Sequence, residues 1–235
     1  MSRPDGRKNN EMRKIKLSPG VQKDPAGSVQ VHFGSTIVLC AATVAEDVPP
    51  WLAAGKEGRG WITGEYAMLP GSTPDRVSRK KRGRATEIER LIGRALRAGV
   101  DLDLLGPRTI TVDCDVLQAD GGTRTAAITG GHVAVELAIR SLLSREKITR
   151  SPLERKICAV SCAMVNGEVV LDPDYSEDVS ADVDMNFVLC EGEGLIEVQG
   201  TAEGQPFDRD SLDEMMDLAC HGARQLFEMQ SQVLQ

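Results

Sequence analysis

One stretch, residues 113–130, constrains the fold more than any other part of the chain. It joins a β-rich run over 108–117 to a long apolar helical pattern through a short loop that contains Gly121-Gly122. Glycines let a backbone approach a ligand closely, and the free N–H groups at a helix start attract anions. Arg124 adds a planar set of donors that matches phosphate oxygens. The order of strand, glycine loop and helix therefore predicts an anion cradle, although an ordinary strand-to-helix turn with a surface arginine would give the same motif.

The charge of the chain is unevenly distributed. The net charge is −7, but residues 1–100 carry 18 Lys/Arg against 10 Asp/Glu, a balance of +8, whereas residues 101–235 carry 10 against 25, a balance of −15. One half can thus meet a polyanion while the other binds a cation or keeps the protein soluble. The overall acidity argues against a general nucleic-acid coat protein. Because the chain has only four Phe, two Tyr and two Trp, any contact with RNA or DNA must depend on charge and backbone more than on stacking.

Composition also indicates where the protein works. With 235 residues and 41% hydrophobic content, the chain can fill a core of its own. The six cysteines are spread out with no Cys-x-x-Cys motif, which indicates reduced, buried thiols. Residues 1–10 show no apolar segment of a signal peptide, and the longest apolar run, 36–45, is too short to span a membrane. We therefore expect a cytoplasmic protein with no membrane partner.

The hydrophobic pattern predicts an α+β fold in which helices pack on mixed sheets. Strands are predicted at 28–33, 36–43, 61–69, 108–117, 158–164, 168–171, 183–190 and 195–200, and a loop at 48–59. Gly34-Ser35 and Asn166-Gly167 predict the turns of two hairpins.

Helix starts are predicted from capping patterns. Thr86 with Glu89 forms a capping box, which would place Arg84 just before a helix, and Asp210-Ser211 with Glu214 predicts the start of the last helix. Gly130-Gly131 falls early in the long helix after the cradle. Since two glycines weaken a helix, they indicate tight packing against a sheet.

The most basic segment is 76–84, which reads Arg-Val-Ser-Arg-Lys-Lys-Arg-Gly-Arg. Such a run either binds a phosphate backbone or forms a solvated loop, and its composition favours neither. Its candidate contacts to a phosphate backbone are Arg76, Arg79, Lys80, Lys81 and Arg82.

Six carboxylates stand between positions 172 and 184: Asp172, Asp174, Glu177, Asp178, Asp182 and Asp184. Asp178 is predicted at the end of a loop, and Asp182 and Asp184 on one face of a strand. Oxygen ligands of this kind suit Mg²⁺, which binds one or two carboxylates together with substrate phosphates. A solvated acidic loop is the alternative.

The sequence argues against a hydrolase triad and against an ATP-dependent kinase, because it lacks the motifs of both. The three histidines are isolated from one another, and there is no Gly-x-Ser-x-Gly elbow, Walker loop, Gly-x-Gly-x-x-Gly motif or zinc-ligand spacing. An anion cradle, a carboxylate pair and a basic loop remain. Together they match phosphoryl-group chemistry on a polyanion.

Several motifs resemble one family nearly end to end. They are Arg3-Pro4-Asp5-Gly6-Arg7, Gly60-Trp61-Ile62-Thr63-Gly64-Glu65-Tyr66, Gly83-Arg84 with Glu87-Ile88-Glu89-Arg90-Leu91-Ile92, the cradle, Glu177-Asp178 with Asp184-Met185-Asn186, and Glu197-Val198-Gln199-Gly200-Thr201. On these residues the chain resembles the ribonuclease PH family, the phosphate-dependent 3′ exoribonucleases that trim transfer-RNA precursors. The resemblance implies a single domain over 1–235 with the family's duplicated fold, which is related to domain 2 of ribosomal protein S5. It also implies a homohexamer, a trimer of dimers, that acts on RNA and not on DNA.

The resemblance further implies a role for each candidate residue. Arg84, Gly122, Thr123 and Arg124 would bind the attacking inorganic phosphate. Asp178 and Asp184 would be the catalytic acids that bind Mg²⁺ or assist the leaving 3′ oxygen. The products would be a nucleoside diphosphate and an RNA shortened by one residue, and the reaction would also run backwards as nucleotide addition. The basic 76–84 segment would bind the RNA backbone.

Two positions depart from the family pattern. Ala127 stands where a serine is usual, which puts a hydroxyl contact in doubt, and Gly71 stands where an arginine is usual, which puts an RNA or subunit contact in doubt. An inactive ring subunit, or an RNA-binding scaffold of an exosome-like assembly, is the competing hypothesis. The presence of both arginines and both aspartates favours the enzyme.

Overall fold

The first half of the chain forms a five-stranded sheet. In the computed structural model, which describes residues 3–55, 58–79, 83–192 and 194–235, its strands are β1 (Ile15–Pro19), β2 (Gly27–Phe33), β3 (Thr36–Ala45), β4 (Trp61–Met68) and β5 (Thr109–Gln118). Their order is β1-β2-β3-β5-β4, and only β4 and β5 run parallel. The hairpin predicted at Gly34 is confirmed, with that glycine at φ +57°. Val29, Val31 and Phe33 alternate into the core, as the period of a strand requires.

The second half forms a four-stranded antiparallel sheet. Its strands are β6 (Ile157–Val165), β7 (Glu168–Leu171), β8 (Val183–Cys190) and β9 (Gly194–Ala202), in the order β7-β6-β8-β9. The predicted turn between β6 and β7 is confirmed: Asn166 has φ +52° and Gly167 φ +77°. Two successive left-handed residues are what a two-residue hairpin turn needs, and Asn-Gly adopts them readily.

Six helices complete the described fold: α1 (Pro50–Ala53), α2 (Gly83–Arg97), α3 (Leu102–Leu105), α4 (Thr123–Ser144), α5 (Tyr175–Val179) and α6 (Arg209–Val233). Helix α4 lies between the sheets and packs on β2, β3 and β5 on one side and on β6 on the other, while α2 packs on β4 and α6 on β6 and β7. The predicted α+β architecture of helices on mixed sheets is therefore confirmed.

The glycine pair in α4 permits this close packing. A Cβ atom on Gly130 would lie 2.2 Å from Cγ2 of Val31 and 3.0 Å from Sγ of Cys40, so no larger residue fits against the sheet there. Helix α4 is long and apolar enough to cross a membrane by length and composition, but 72% of its most apolar window is buried inside the protein. It is thus the central core helix.

Several local predictions are wrong in position. The 48–59 segment contains helix α1 instead of being only a loop. Helix α2 begins at Gly83, so Arg84 lies inside its first turn. The predicted capping box at Thr86 does not form, because Thr86 lies inside the helix. Oε1 of Glu89 instead accepts a hydrogen bond from the backbone N–H of Tyr66 at 3.2 Å.

The last helix is capped two residues earlier than predicted. Asp208 is its N-cap, and its Oδ1 accepts the backbone N–H of Ser211 at 2.8 Å. Strand β1 and the short helices α3 and α5 were not predicted. All six cysteines lie in the described part of the chain, where none forms a disulfide and five are buried, as predicted.

Candidate active site

A single cavity of about 520 Å³ lies where the end of β5 meets the second sheet. It brings together all the residues predicted to bind phosphate or to act as acids: Arg84, Gly122, Thr123, Arg124, Asp178 and Asp184. These residues come from α2, from the N-cap and first turn of α4, from α5 and from β8, so both halves of the chain build the site.

The cradle has the backbone geometry of an anion site. Gly122 is the N-cap of α4 with left-handed φ +65° and ψ +23°, and Gly121 before it has φ +71°. Oγ1 of Thr125 donates to the carbonyl oxygen of Gly122 at 2.8 Å, which fixes the first turn. The N–H groups of a first helical turn have no partner within the helix, and their dipoles favour an anion. Gly121 and Gly122 therefore supply the close approach that the sequence predicted.

Thr123 is held in place by Tyr66. The Tyr66 hydroxyl lies 2.8 Å from Oγ1 of Thr123, and the tyrosine is only 3% exposed. Burial raises the pKa of Tyr66 above its usual value, although Arg84 and Arg124 nearby work in the opposite direction. The phenol therefore stays neutral near pH 7 and serves as a hydrogen-bonding group. No role for Tyr66 could be predicted from sequence, because its partner is 57 positions away.

Two arginines face the cavity without a carboxylate partner. Within the described residues neither Arg84 nor Arg124 forms an ion pair, and Nη1 of Arg124 makes one long hydrogen bond of 3.4 Å to Oε1 of Gln199. Several other arginines are held by carboxylates; Arg94, for example, makes a bidentate pair with Glu197 at 2.6 and 2.7 Å. The guanidinium groups of Arg84 and Arg124 are thus available to bind an anion.

The two acids face these arginines from the second half of the chain. Asp178 lies in helix α5, not at the end of a loop as predicted, and Asp184 lies in β8. Burial raises the pKa of Asp178, with Arg84 and Arg124 opposing the shift. Burial also raises the pKa of Asp184, and the negative charge of Asp178 raises it further. Asp182 lies immediately before β8, not within the strand as predicted, and it does not line the cavity.

Asp178 and Asp184 also offer carboxylate oxygens, which are the type of ligand that suits Mg²⁺. The described residues contain no group of three or more His, Cys, Asp or Glu side chains that could hold a metal. Mg²⁺ nevertheless needs only one or two carboxylates when substrate phosphates supply further oxygens. Nδ2 of Asn186 lies 3.4 Å from Oδ2 of Asp184, and Ser161 on the next strand has a buried hydroxyl without a hydrogen-bond partner in the described structure. Both line the cavity, so the polar surroundings match a hydrated cation.

Helix α5 is held by a buried ion pair that no local pattern reveals. Nε and Nη2 of Arg3 bind Oε1 and Oε2 of Glu177, each at 2.7 Å, with the two side chains 2% and 5% exposed. Glu177 also completes a capping box with Asp174 at the start of the helix. The basic turn at the N-terminus therefore positions the helix that carries Asp178, from 174 residues away.

The basic segment is only partly described. Arg76 and Arg79 are exposed, whereas Lys80, Lys81 and Arg82 lie outside the described residues. Asp75 and Val77, the neighbours of Arg76, line the cavity. The described part of the segment therefore lies at the cavity's edge, where a polyanion could be bound next to the cradle.

The two residues that depart from the family pattern do not line the cavity. Ala127 is fully buried, and its carbonyl oxygen accepts from the thiols of Cys40 and Cys114, each at 3.7 Å. It does not line the cavity. Gly71 is exposed, and a Cβ atom there would meet nothing within 4 Å. Neither departure therefore changes a residue that lines the cavity.

A glycine cradle and two arginines without ion-pair partners in the described structure lie opposite two partly buried carboxylates, and together they define a site for phosphoryl transfer. The chain belongs to the 3′ exoribonuclease family: residues 11–140 match domain 1 of that family and residues 156–222 match domain 2. It is 52% identical over 235 residues to the protein named Ribonuclease PH of Synechococcus elongatus, covering 99% of this chain and 98% of that relative. The family and the activity predicted from the sequence, a phosphate-dependent 3′ exoribonuclease, are thereby confirmed.

Solved structures confirm the fold. Rice Rrp46 matches with a TM-score of 0.81 at 20% identity, covering 99% of this chain and 100% of the other. The Archaeoglobus fulgidus exosome with RNA bound to the active site matches with a TM-score of 0.81 at 23% identity, covering 97% of this chain and 92% of the other. The mixed sheets with packed helices are thus those of the exosome-type members of this fold.

Proposed function

We propose that this enzyme trims the 3′ end of transfer-RNA precursors, with inorganic phosphate bound by Arg84, Arg124 and the cradle of Gly122 and Thr123. The observation that carries the proposal is the cavity in which two arginines without ion-pair partners in the described structure and a helix start face two partly buried carboxylates. Without those groups, the attacking phosphate and the phosphodiester would repel each other, since both are anions.

The cradle and the arginines place the nucleophile. A phosphate oxygen attacks the phosphorus of the last phosphodiester, a new P–O bond forms, and the bond from that phosphorus to the 3′ oxygen of the preceding residue breaks. The terminal nucleotide leaves as a nucleoside diphosphate whose outer phosphate was the inorganic one. The charge that accumulates on the equatorial oxygens is stabilised by the guanidinium groups of Arg84 and Arg124.

The carboxylates serve the leaving group. The departing 3′ oxygen needs a proton, and a carboxyl with a raised pKa retains one more readily than an exposed aspartate. Burial raises the pKa of both Asp178 and Asp184, and the negative charge of Asp178 adds to the shift at Asp184. In the reverse reaction the same pair accepts the proton when a 3′ hydroxyl attacks a nucleoside diphosphate.

Asp178 and Asp184 also form the proposed site for Mg²⁺, with Asn186 and Ser161 as polar neighbours. When bound, the ion supplies positive charge that stabilises the phosphoryl oxygens in the transition state.

We further propose that the 76–84 segment binds the RNA backbone. Arg76 and Arg79 are exposed at the edge of the cavity, and Lys80, Lys81 and Arg82 follow them in the sequence. Replacing Arg76 and Arg79 together by serine should weaken binding of all RNA sequences alike, because phosphate contacts carry no base preference. It should also lower the slope of log K against log salt by about 1.5 units, at about 0.7 for each phosphate contact to a single strand. Fluorescence anisotropy at several salt concentrations measures this, and an unchanged slope would contradict the role.

The enzyme is proposed to assemble as a homohexamer in the cytoplasm. Exposed apolar side chains support an assembly: Val179 is 68% exposed, Leu195 48% and Val198 43%. The mass of the native particle, six times that of one chain, tests this directly.

Phosphate dependence tests the proposed function as a whole. With an RNA that has a 3′ overhang, and with Mg²⁺ present, nucleoside diphosphates should appear at a rate that saturates with phosphate. A transfer-RNA precursor should be shortened from its 3′ end under the same conditions. Nucleotide release that ignores phosphate would contradict the proposal, and loss of activity after chelation of Mg²⁺ would support the role of the acid pair.

A further inference from the structure

Two side chains that do not line the cavity, Arg13 and Thr36, form hydrogen bonds to the loop before α4. Nη1 of Arg13 donates to the carbonyl oxygen of Asp120, and Nη2 lies 3.5 Å from that of Gly121. Oγ1 of Thr36 donates to the same Gly121 oxygen at 2.6 Å and accepts the backbone N–H of Asp120 at 2.9 Å. Both side chains are buried, with Arg13 6% and Thr36 0% exposed.

These contacts determine where the N–H groups of the loop point. A trans peptide unit is planar, so its C=O and N–H are directed to opposite sides. Because the carbonyl groups of Asp120 and Gly121 point towards Arg13 and Thr36, the N–H groups of Gly121 and Gly122 point away from them. Both glycines line the cavity, and within the described structure neither N–H makes a hydrogen bond. Left-handed Gly122 followed by helical Thr123 is also the backbone sequence of an anion-binding nest.

Arg13 also joins the cradle to the acid side of the site. Its Nε and Nη2 bind Oδ2 and Oδ1 of Asp172 at 3.0 and 2.7 Å, and its backbone N–H donates to Oδ2 at 2.9 Å. Asp172 is 1% exposed with left-handed φ +50°, a conformation that a non-glycine residue keeps only when its surroundings impose it. Two residues later Asp174 caps α5, and the backbone N–H of Tyr175 lies 3.3 Å from Oδ1 of Asp120.

We propose that Arg13 and Thr36 are positioning residues for the attacking phosphate: they hold the Asp120 and Gly121 carbonyl groups out of the cavity, so that the Gly121 and Gly122 N–H groups bind the anion. This inference rests on the proposed function and adds Gly121 to the phosphate site. It also assigns a role to the Arg13–Asp172 pair, which holds the cradle in a fixed position relative to α5, the helix that carries Asp178.

Thr36→Val and Thr36→Ser form the matched test. Valine keeps the volume but loses the hydroxyl that binds the Gly121 carbonyl, so the peptide is free to turn and the N–H to leave the anion. The KM for phosphate should rise about 10- to 100-fold, as expected for one or two lost hydrogen bonds to a charged group, with the KM for RNA unchanged. Serine keeps the hydroxyl, and its KM for phosphate should stay near that of the wild type.

Arg13→Lys and Arg3→Lys extend the test to the ion pair. Each removes one buried bidentate arginine from the same N-terminal segment, but only Arg13 contacts the cradle carbonyl groups. Both variants should be less stable, whereas only Arg13→Lys should raise the KM for phosphate and weaken stabilisation by phosphate in thermal unfolding. If Arg13→Lys does not fold, the Thr36 pair decides alone.

A folded Thr36→Val with a wild-type KM for phosphate would overturn the inference while leaving the proposed function intact. A wild-type enzyme that shows no dependence on phosphate would overturn the proposed function itself. The two failures are therefore distinguishable in one set of assays.

Discussion

Replacing Asp184 by asparagine should lower kcat for phosphorolysis by about 10²- to 10⁴-fold, the usual contribution of a positioned acid or base. Asparagine has nearly the same shape but can neither release a proton to the leaving 3′ oxygen nor bind Mg²⁺ as a carboxylate. Steady-state release of nucleoside diphosphate from RNA measures the effect. The KM for phosphate should change little, because phosphate binding is assigned to the opposite wall of the cavity.

The same substitution should make the protein more stable at neutral pH. Burial and the nearby Asp178 raise the pKa of Asp184 above its usual 3.8, so the folded state binds this proton more tightly than the unfolded chain does. The ionised carboxylate therefore costs stability above its folded pKa, and that cost fades as the pH falls to 3.8 and below. Thermal unfolding of both proteins across this range should show a higher midpoint for Asp184→Asn at pH 7 and convergence in acid. If the variant were less stable than the wild type at pH 7, this would contradict the claim that the ionised carboxylate of Asp184 destabilises the folded protein.

Arg124→Ala should remove saturation by phosphate and lower kcat/KM for phosphate by about 10²- to 10³-fold, the range seen when one donor to a developing anion is lost. The fold should stay intact, because among the described residues the guanidinium of Arg124 makes a single long hydrogen bond, to Gln199. Binding of RNA without phosphate should be nearly unaffected. Phosphate titrations of the rate, together with a thermal unfolding curve, test both parts.

Arg140→Ala is the control for that substitution. Arg140 lies on the same helix α4, where it pairs with Glu136 at 2.7 Å, and it does not line the cavity. The Arg140→Ala substitution removes one positive charge from the same helix. Equal losses of kcat/KM for phosphate in the two variants would therefore indicate a general effect of charge instead of phosphate binding by Arg124.

Much of the fold follows from contacts between residues close in sequence. The hairpin turn at Asn166-Gly167 and the glycine loop that opens α4 depend on backbone conformations that these residues adopt by themselves. The cradle could therefore be located from one stretch of sequence. Helix α5 was missed because five residues are too few to show a helical period.

The rest of the site depends on partners far apart in the chain. Arg13 and Asp172 are 159 positions apart and Arg3 and Glu177 are 174 apart, so no spacing or period links them. Glu89 is the opposite case, in which a local pattern was present but misleading. Its spacing from Thr86 matches a capping box, yet its carboxylate accepts a hydrogen bond from the backbone N–H of Tyr66 on a neighbouring strand. Sequence predicted which groups act on the substrate, whereas only the structure shows which groups hold them.

The most direct test of the central claim follows the oxygen atoms of phosphate. With inorganic phosphate labelled at every oxygen by ¹⁸O, the nucleotide released from the 3′ end should be a nucleoside diphosphate that carries the labelled phosphate as its outer group. Mass spectrometry of the product identifies it. Release of an unlabelled nucleoside monophosphate would show that water is the attacking group and would contradict phosphorolysis at this cavity.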